Sequence, residues 1–203
     1  MWRFFVVVEM LKKRYGPCEP IVLSDIKWMK LSSGALRQMF KRMSDKGILQ
    51  RYMNGVYYFP ENGKKMMAEA VIEGMYIANR KERYGYFAGF SYGRRIGVTD
   101  REDEYPIIVT NKETSRGRFR MVSKKRVYLK KPYAYITKDN VEEMALLDFI
   151  REWDAYSDLN EEDTFSHIKS FMKEKNIDKR IFIEAAAWYP NRVSALLLKH
   201  KLA

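Results

Sequence analysis

The chain has 203 residues, 46% hydrophobic and 32% charged, a globular mix long enough for one or two domains with real cores. Lys and Arg number 38 against 26 Asp and Glu, a formal net charge of +12, which favours an anionic partner and says nothing about fold. The single cysteine, Cys18, excludes an intrachain disulfide and a cysteine metal cluster, the two histidines, His167 and His200, sit in no metal or triad motif, and no apolar run approaches the ~18 residues of a membrane span.

Residues 2–14 carry Phe5, Val8, Leu11 and Lys12 near helical spacing and predict a first helix, closed by Gly16-Pro17. The apolar start has the look of a secretory leader. Glu9 and Lys12-Lys13-Arg14 interrupt it and no small-residue cleavage site follows, so a cytoplasmic location is expected. Ser24 is placed to cap a short second helix over Asp25–Lys30, with Asp25 in its first turn. After the tight connection Leu31–Gly34, Ser32 or Ser33 caps a third helix that runs to Asp45 and ends at Lys46-Gly47. Ile48–Met53 and Val56–Phe59 read as strands joined by Asn54-Gly55, a pair favoured in type I′ hairpin turns. Three short helices followed by a hairpin is the order of a winged helix-turn-helix, and Pro60-Glu61-Asn62-Gly63 reads as its boundary.

Beyond it, helices are predicted over Lys64–Lys81 and Tyr86–Ile96, and an acidic loop over Asp100–Glu104. Strands are predicted at Ile107–Thr110, Arg118–Val122, Arg126–Lys130 and Tyr133–Ile136. Helices follow from Thr137 or Asn140 to Trp153, at Glu161–Lys175, at Asp178–Trp188 and at Pro190–Lys199. The expected fold class is therefore α+β. A winged helix-turn-helix over residues 1–60 precedes a mixed α/β domain over 61–203, with a small antiparallel sheet and C-terminal helices.

Charge is segregated along this plan. Residues 1–60 carry a net +7, residues 80–139 a net +9 and residues 140–203 a net −3. On a wheel of the third helix, Leu36, Met39, Phe40 and Met43 form a core-facing stripe. Arg37, Gln38, Lys41, Arg42 and Asp45 lie opposite. In a helix-turn-helix this helix enters the major groove, where Arg can pair with guanine and Gln with adenine. Arg37 and Gln38 are thus candidates for base contacts, and Lys41 and Arg42 for phosphate. Ser32 and Ser33 stand at the helix start, where a hydroxyl or bare amide can hold a phosphate oxygen. Arg51 and Asn54 of the hairpin are candidates for a backbone or minor-groove contact. The alternative is a winged helix that binds protein, with an ordinary solvated basic face.

A second candidate anion-binding face comprises Arg116, Arg118, Arg120, Lys124, Lys125 and Arg126. Arg116, Arg118 and Arg120 alternate with Gly117, Phe119 and Met121, so in a strand they share one face, either solvated or anion-binding. No catalytic constellation emerges. Gly85, Gly89, Gly93 and Gly97 recur every four residues, a pattern of neither the P-loop nor the dinucleotide fingerprint, and better suited to close packing. The acidic loop Asp100, Glu102, Asp103, Glu104 keeps a metal-dependent nuclease as an alternative, although the acidic-x-Lys triplet Asp25-Ile26-Lys27 falls on a predicted helix. No catalytic residue, metal or cofactor is expected.

Leu36-Arg37-Gln38-Met39-Phe40-Lys41-Arg42-Met43, with Gly47-Ile48-Leu49-Gln50-Arg51 and Asn54-Gly55-Val56-Tyr57-Tyr58, resembles the winged N-terminal region of the AbiEi family, antitoxins of type IV toxin–antitoxin and abortive-infection systems. Gly85-Tyr86-Phe87-Ala88-Gly89 and Arg95-Ile96-Gly97-Val98-Thr99 resemble a segment of the family's shorter members. So do Ile108–Lys112, Ile136-Thr137, Asn140, Leu146-Leu147-Asp148 and the tail Tyr189-Pro190-Asn191-Arg192-Val193 with Leu196-Leu197, so the resemblance covers most of the chain. Relatives tend to carry a Gln-Val-Pro-like stretch where this chain has Asp100–Tyr105 before Pro106, so nothing is carried over there. The resemblance implies a bacterial DNA-binding antitoxin. Its winged domain would repress its own operon by binding double-stranded operator DNA at inverted repeats, which leaves a homodimer open. Its second domain would counter a nucleotidyltransferase-like toxin. No membrane partner is implied.

Overall fold

The computed structural model describes residues 2–202. The chain divides into two compact units, one of residues up to 75 together with 122–125, the other of residues 76–121 and 126 onward. The boundary expected at residue 60 lies within the first unit.

The first unit contains α1 (Trp2–Arg14), β1 (Ile21–Val22), α2 (Ser33–Asp45), β2 (Gln50–Met53) and β3 (Val56–Tyr58), followed by α3 (Ala68–Tyr76), whose last residue belongs to the second unit. Its sheet is antiparallel in the order β1-β3-β2. This order of elements is that of a winged helix. Val8 and Leu11 of α1, Leu36, Phe40 and Met43 of α2, and Ile21, Leu49 and Tyr57 form one buried cluster. Phe40 is fully buried and meets the Tyr57 ring edge-on at 5.3 Å, a favoured aromatic geometry. Phe5, expected on the buried stripe of α1, is instead exposed.

The predicted second helix is reduced to a single 3₁₀ turn, Leu23–Asp25. The following segment makes a turn in which Lys30 N donates to the Lys27 carbonyl at 3.3 Å, with Ile26 buried and Trp28 and Met29 half-buried against the core. Arg14 stacks on Trp28 at 4.1 Å, and Lys30 takes a positive φ of 49°, which a helix interior does not allow. Ser24 consequently caps nothing; its hydroxyl donates to the Asp25 carboxylate. The hairpin forms where expected, with a different turn. Gly55 alone takes positive φ, at 78°, so the turn is not type I′, and a bulge between Arg51 and Met53 takes up the register.

The second unit is built around α5 (Val141–Arg151), on which nearly every residue is buried. Around it lie α4 (Phe90–Ile96), α6 (Trp153–Tyr156), α7 (Glu161–Glu174), α8 (Lys179–Ala186) and α9 (Asn191–Lys199). A four-stranded sheet runs in the order β4 (Gly85–Phe87), β5 (Ile107–Thr110), β7 (Lys125–Lys130), β6 (Arg118–Val122). The antiparallel expectation holds for β4 with β5, whereas β7 joins β5 in parallel.

The helix predicted over Tyr86–Ile96 is split. Residues 85–87 pair with β5 and bury Tyr86, and the chain turns at Gly89 (φ 69°) before α4 begins. A Cβ at Gly89 would lie 2.6 Å from Asp103 Oδ1, and one at Gly93 would lie 2.7 Å from the Tyr156 carbonyl. The four-residue glycine spacing thus serves a turn at one position and close packing at another. The helix predicted over Lys64–Lys81 shortens to α3, because Ala78 bridges to Arg83. Tyr133–Ile136 is not a strand. The Asn111 side chain takes the place of a neighbour there, accepting from Ile136 N at 2.9 Å and donating to Ile136 O at 2.7 Å.

Candidate nucleic-acid interface

Helix α2 carries the primary candidate surface. The Ser32 hydroxyl accepts from Ala35 N at 3.2 Å, an N-cap that fixes the start of the helix. With Leu36, Phe40 and Met43 anchored below, the 100° step of the helix forces Arg37, Gln38, Lys41 and Arg42 outward, and all four are exposed. Arg37 and Lys41 lean toward the hairpin across a groove of about 830 Å³. Ser24, Ser33, Ser44, Arg51, Asn54 and Tyr57 also line this groove, with Asp45 as the acidic residue on its wall. Gln38 and Arg42 stand on the other flank of the helix, outside the groove lining.

Arg51 Nη2 donates to Asn54 Oδ1 at 3.2 Å, and Arg51 Nε to the Met53 carbonyl at 3.4 Å. These contacts brace the wing tip and leave guanidinium and amide hydrogens directed outward. The Ser32 hydroxyl, though it accepts from Ala35, keeps its own hydrogen for an external oxygen. The structure therefore brings Ser33, Arg37, Lys41, Arg51 and Asn54 to one groove, and leaves Ser32, Gln38 and Arg42 exposed on the same helix. Three cations against one carboxylate give the groove a positive field suited to a polyanion.

The second basic block is not one face. Arg118 is committed to the buried carboxylate of Glu113, which also accepts from Thr114 N at 2.7 Å and Ser115 N at 2.9 Å. Burial works to raise the Glu113 carboxyl, but the Ser115 amide, Arg118 and the Thr114 amide outweigh it and hold the group below the usual carboxylate range. Lys125 pairs with Glu69, and Lys124 and Lys125 fall in the first unit, whereas Arg116, Arg118, Arg120 and Arg126 fall in the second. Arg116, Arg120 and Lys124 are exposed without an ion-pair partner among the described residues. Arg126 lies over the Phe119 ring at 3.6 Å. The alternation that placed Arg118 and Arg120 on one strand face also places Phe119 and Met121 on the other, and these two went unread as surface groups.

The acidic loop has a structural occupation. Asp103 accepts from Phe90 N at 3.1 Å and Ser91 N at 2.8 Å, filling the exposed amides at the start of α4, and Glu102 pairs with Arg94. Among the described residues no three His, Cys, Asp or Glu side chains stand close enough to share a metal ion. No described helix is long and apolar enough to cross a membrane.

Sequence reasoning also missed a buried polar network in the second unit. Tyr86 donates to Asp148 Oδ2 at 2.6 Å, and Tyr189 to the Met144 carbonyl at 3.0 Å. Arg151 Nε stands 3.5 Å from Asp148 Oδ1. Complete burial raises the Asp148 carboxyl above its usual range, against the lowering effect of Tyr86 and Arg151. No family model matches the chain, and no curated protein matches it significantly.

Proposed function

We propose that the chain is a cytoplasmic DNA-binding transcriptional regulator whose winged unit engages duplex DNA through α2 and the β2–β3 hairpin. The observation that carries this reading is the disposition of α2. Its apolar stripe is locked into the core, and Arg37, Gln38, Lys41 and Arg42 are all free at the surface beside a basic wing. Arg37 and Gln38 are assigned to base edges, and Lys41, Arg42 and Arg51 to phosphates. Within the AbiEi setting that the motifs suggest, the regulator would be an antitoxin. It would repress its own operon and counter a nucleotidyltransferase-like toxin, without enzymatic activity of its own.

The test is a gel shift with DNA from upstream of the gene, at moderate salt. A specific, salt-sensitive complex that a combined Arg37→Ala, Gln38→Ala, Lys41→Ala variant fails to form is the expected result. Unchanged binding by that variant refutes the assigned helix, and absence of any DNA complex favours a protein-binding adaptor. Mg²⁺- or Mn²⁺-dependent cleavage lost on changing Asp100 or Glu104 would replace the regulator with a nuclease.

A further inference from the structure

The sheet of the second unit is covered unevenly. Along one face, burial declines strand by strand. Tyr86 on β4 and Val109 on β5 are buried, Tyr128 on β7 is half-buried, and Phe119 and Met121 on β6 are 40% and 56% exposed. β6 is one of the two edge strands, at the end opposite β4. Edge strands are normally protected by charge, and Arg118 and Arg120 supply that on the opposite face of β6. Protection does not explain why the strand also presents two large apolar side chains.

Those side chains belong to an assembled cluster. Phe119 packs against Tyr105 and Tyr128, with ring centroids 4.8 Å away in each case, and Arg126 lies 3.6 Å above the Phe119 centroid. The guanidinium thus sits over the ring as a cation–π contact, and Arg126 is exposed to solvent. Gly117 adjoins the cluster, and a Cβ there would force the Tyr128 ring to shift. Arg120, on the opposite face of the same edge strand, and Arg116, just before it, are exposed and unpaired among the described residues; Glu113, the nearest acidic residue in sequence, is already paired with Arg118.

From this arrangement we infer that the edge of the second unit is a binding site for single-stranded RNA. An exposed guanidinium held over an aromatic ring beside two further aromatics suits an unpaired base, and the unpaired arginines of the same edge strand are within the reach of a backbone that crosses the edge. Stacking takes the base, and the arginines take the backbone. Duplex DNA hides its base faces, so it cannot use the platform, and RNA is the nucleic acid whose bases are ordinarily unpaired. A protein strand added to β6 would have to approach past Arg118 and Arg120, which disfavours that occupant. The inference does not depend on the winged unit.

The test uses the full chain and a short fluorescein-labelled RNA of mixed sequence, read by anisotropy at moderate salt. Saturable binding is expected. F119L keeps apolar bulk without a ring, and it should weaken binding roughly five- to a hundredfold, the range for one lost base stack. R126K keeps the charge without the plane and should also weaken it. F119W should retain binding, and its emission should be quenched by RNA. The combined Arg37, Gln38 and Lys41 variant should bind this RNA as well as the unaltered chain does, which separates this site from the winged one. Absence of binding, insensitivity to both F119L and R126K, or loss in the α2 variant would overturn the proposal. So would equal or tighter binding of single-stranded DNA of the same sequence or of duplex RNA.

Discussion

If α2 and the wing lie against a duplex, the salt dependence of binding is set by how many of their cations meet phosphate. Lys41, Arg42 and Arg51 are the three assigned that role, and all three are exposed. Each neutralised phosphate contributes about 0.9 to the slope of log affinity against log salt, so one winged unit should show a slope of about −2.7. Two units on an inverted repeat should show about −5.4. Between about 50 and 200 mM salt these slopes mean a loss of about 40-fold or about 2,000-fold respectively, so the same titration also reports the number of units bound. Lys41→Ala should make the slope shallower by about 0.9 per unit and weaken all sequences alike. Arg37→Ala with Gln38→Ala should leave the slope nearly unchanged and lose site preference, at about 1–3 kcal/mol per bidentate pair. Fluorescence anisotropy with operator and scrambled duplexes over a salt series measures both quantities. The assignment is refuted if Lys41→Ala leaves the slope unaltered, or if the Arg37/Gln38 variant loses operator and scrambled duplex equally.

Three further predictions concern the scaffold. Removing Arg118 leaves the buried Glu113 carboxylate short of a partner; R118A should cost about 1–3 kcal/mol in urea denaturation. Phe40→Ala empties the centre of the winged core and should cost about 3–5 kcal/mol, read from the loss of the unit's cooperative transition. Asp148 has a folded-state carboxyl raised by burial, so its contribution to stability is full below the unfolded value near about 4 and is lost as pH rises through the folded value. The stability of the natural chain minus that of D148N should therefore fall as pH increases from about 4 toward neutrality. A difference that grows with pH over that range would show that the carboxylate is stabilised in the fold.

How much of this was legible in the sequence depended on where the deciding interactions lay. Helix α2 was readable because stripe, cap and glycine stop are all local and agree: Leu36, Phe40 and Met43 inward, Ser32 at the start, Gly47 after the end. The second helix was not legible because Asp25–Lys30 is only six residues long, with a capping residue in front and Ile26 and Met29 at helical spacing, whereas the packing of Ile26, Trp28 and Met29 against the core, which a local reading cannot see, decided its shape. Residues 85–87 went to the sheet for the same kind of reason. Their pairing partner, β5, lies some twenty residues away in the chain, and only Gly85 and Gly89 warned that a helix would not pass through.

The basic block at 116–126 shows what composition cannot resolve. Six cations that look equivalent in the sequence separate into a clamp on a buried carboxylate (Arg118), a surface pair (Lys125), an aromatic stack (Arg126) and three free charges. Only the last two kinds can meet a ligand without first giving up a partner of opposite charge. A charge count therefore overstates the electrostatic footprint of this region, and an alternating pattern understates its aromatic one. Phe119 and Met121 occupy the alternate positions that a reading for arginine skips. Both kinds of error arise from treating side chains as independent, when what a surface can bind is set by which of them the fold has already used.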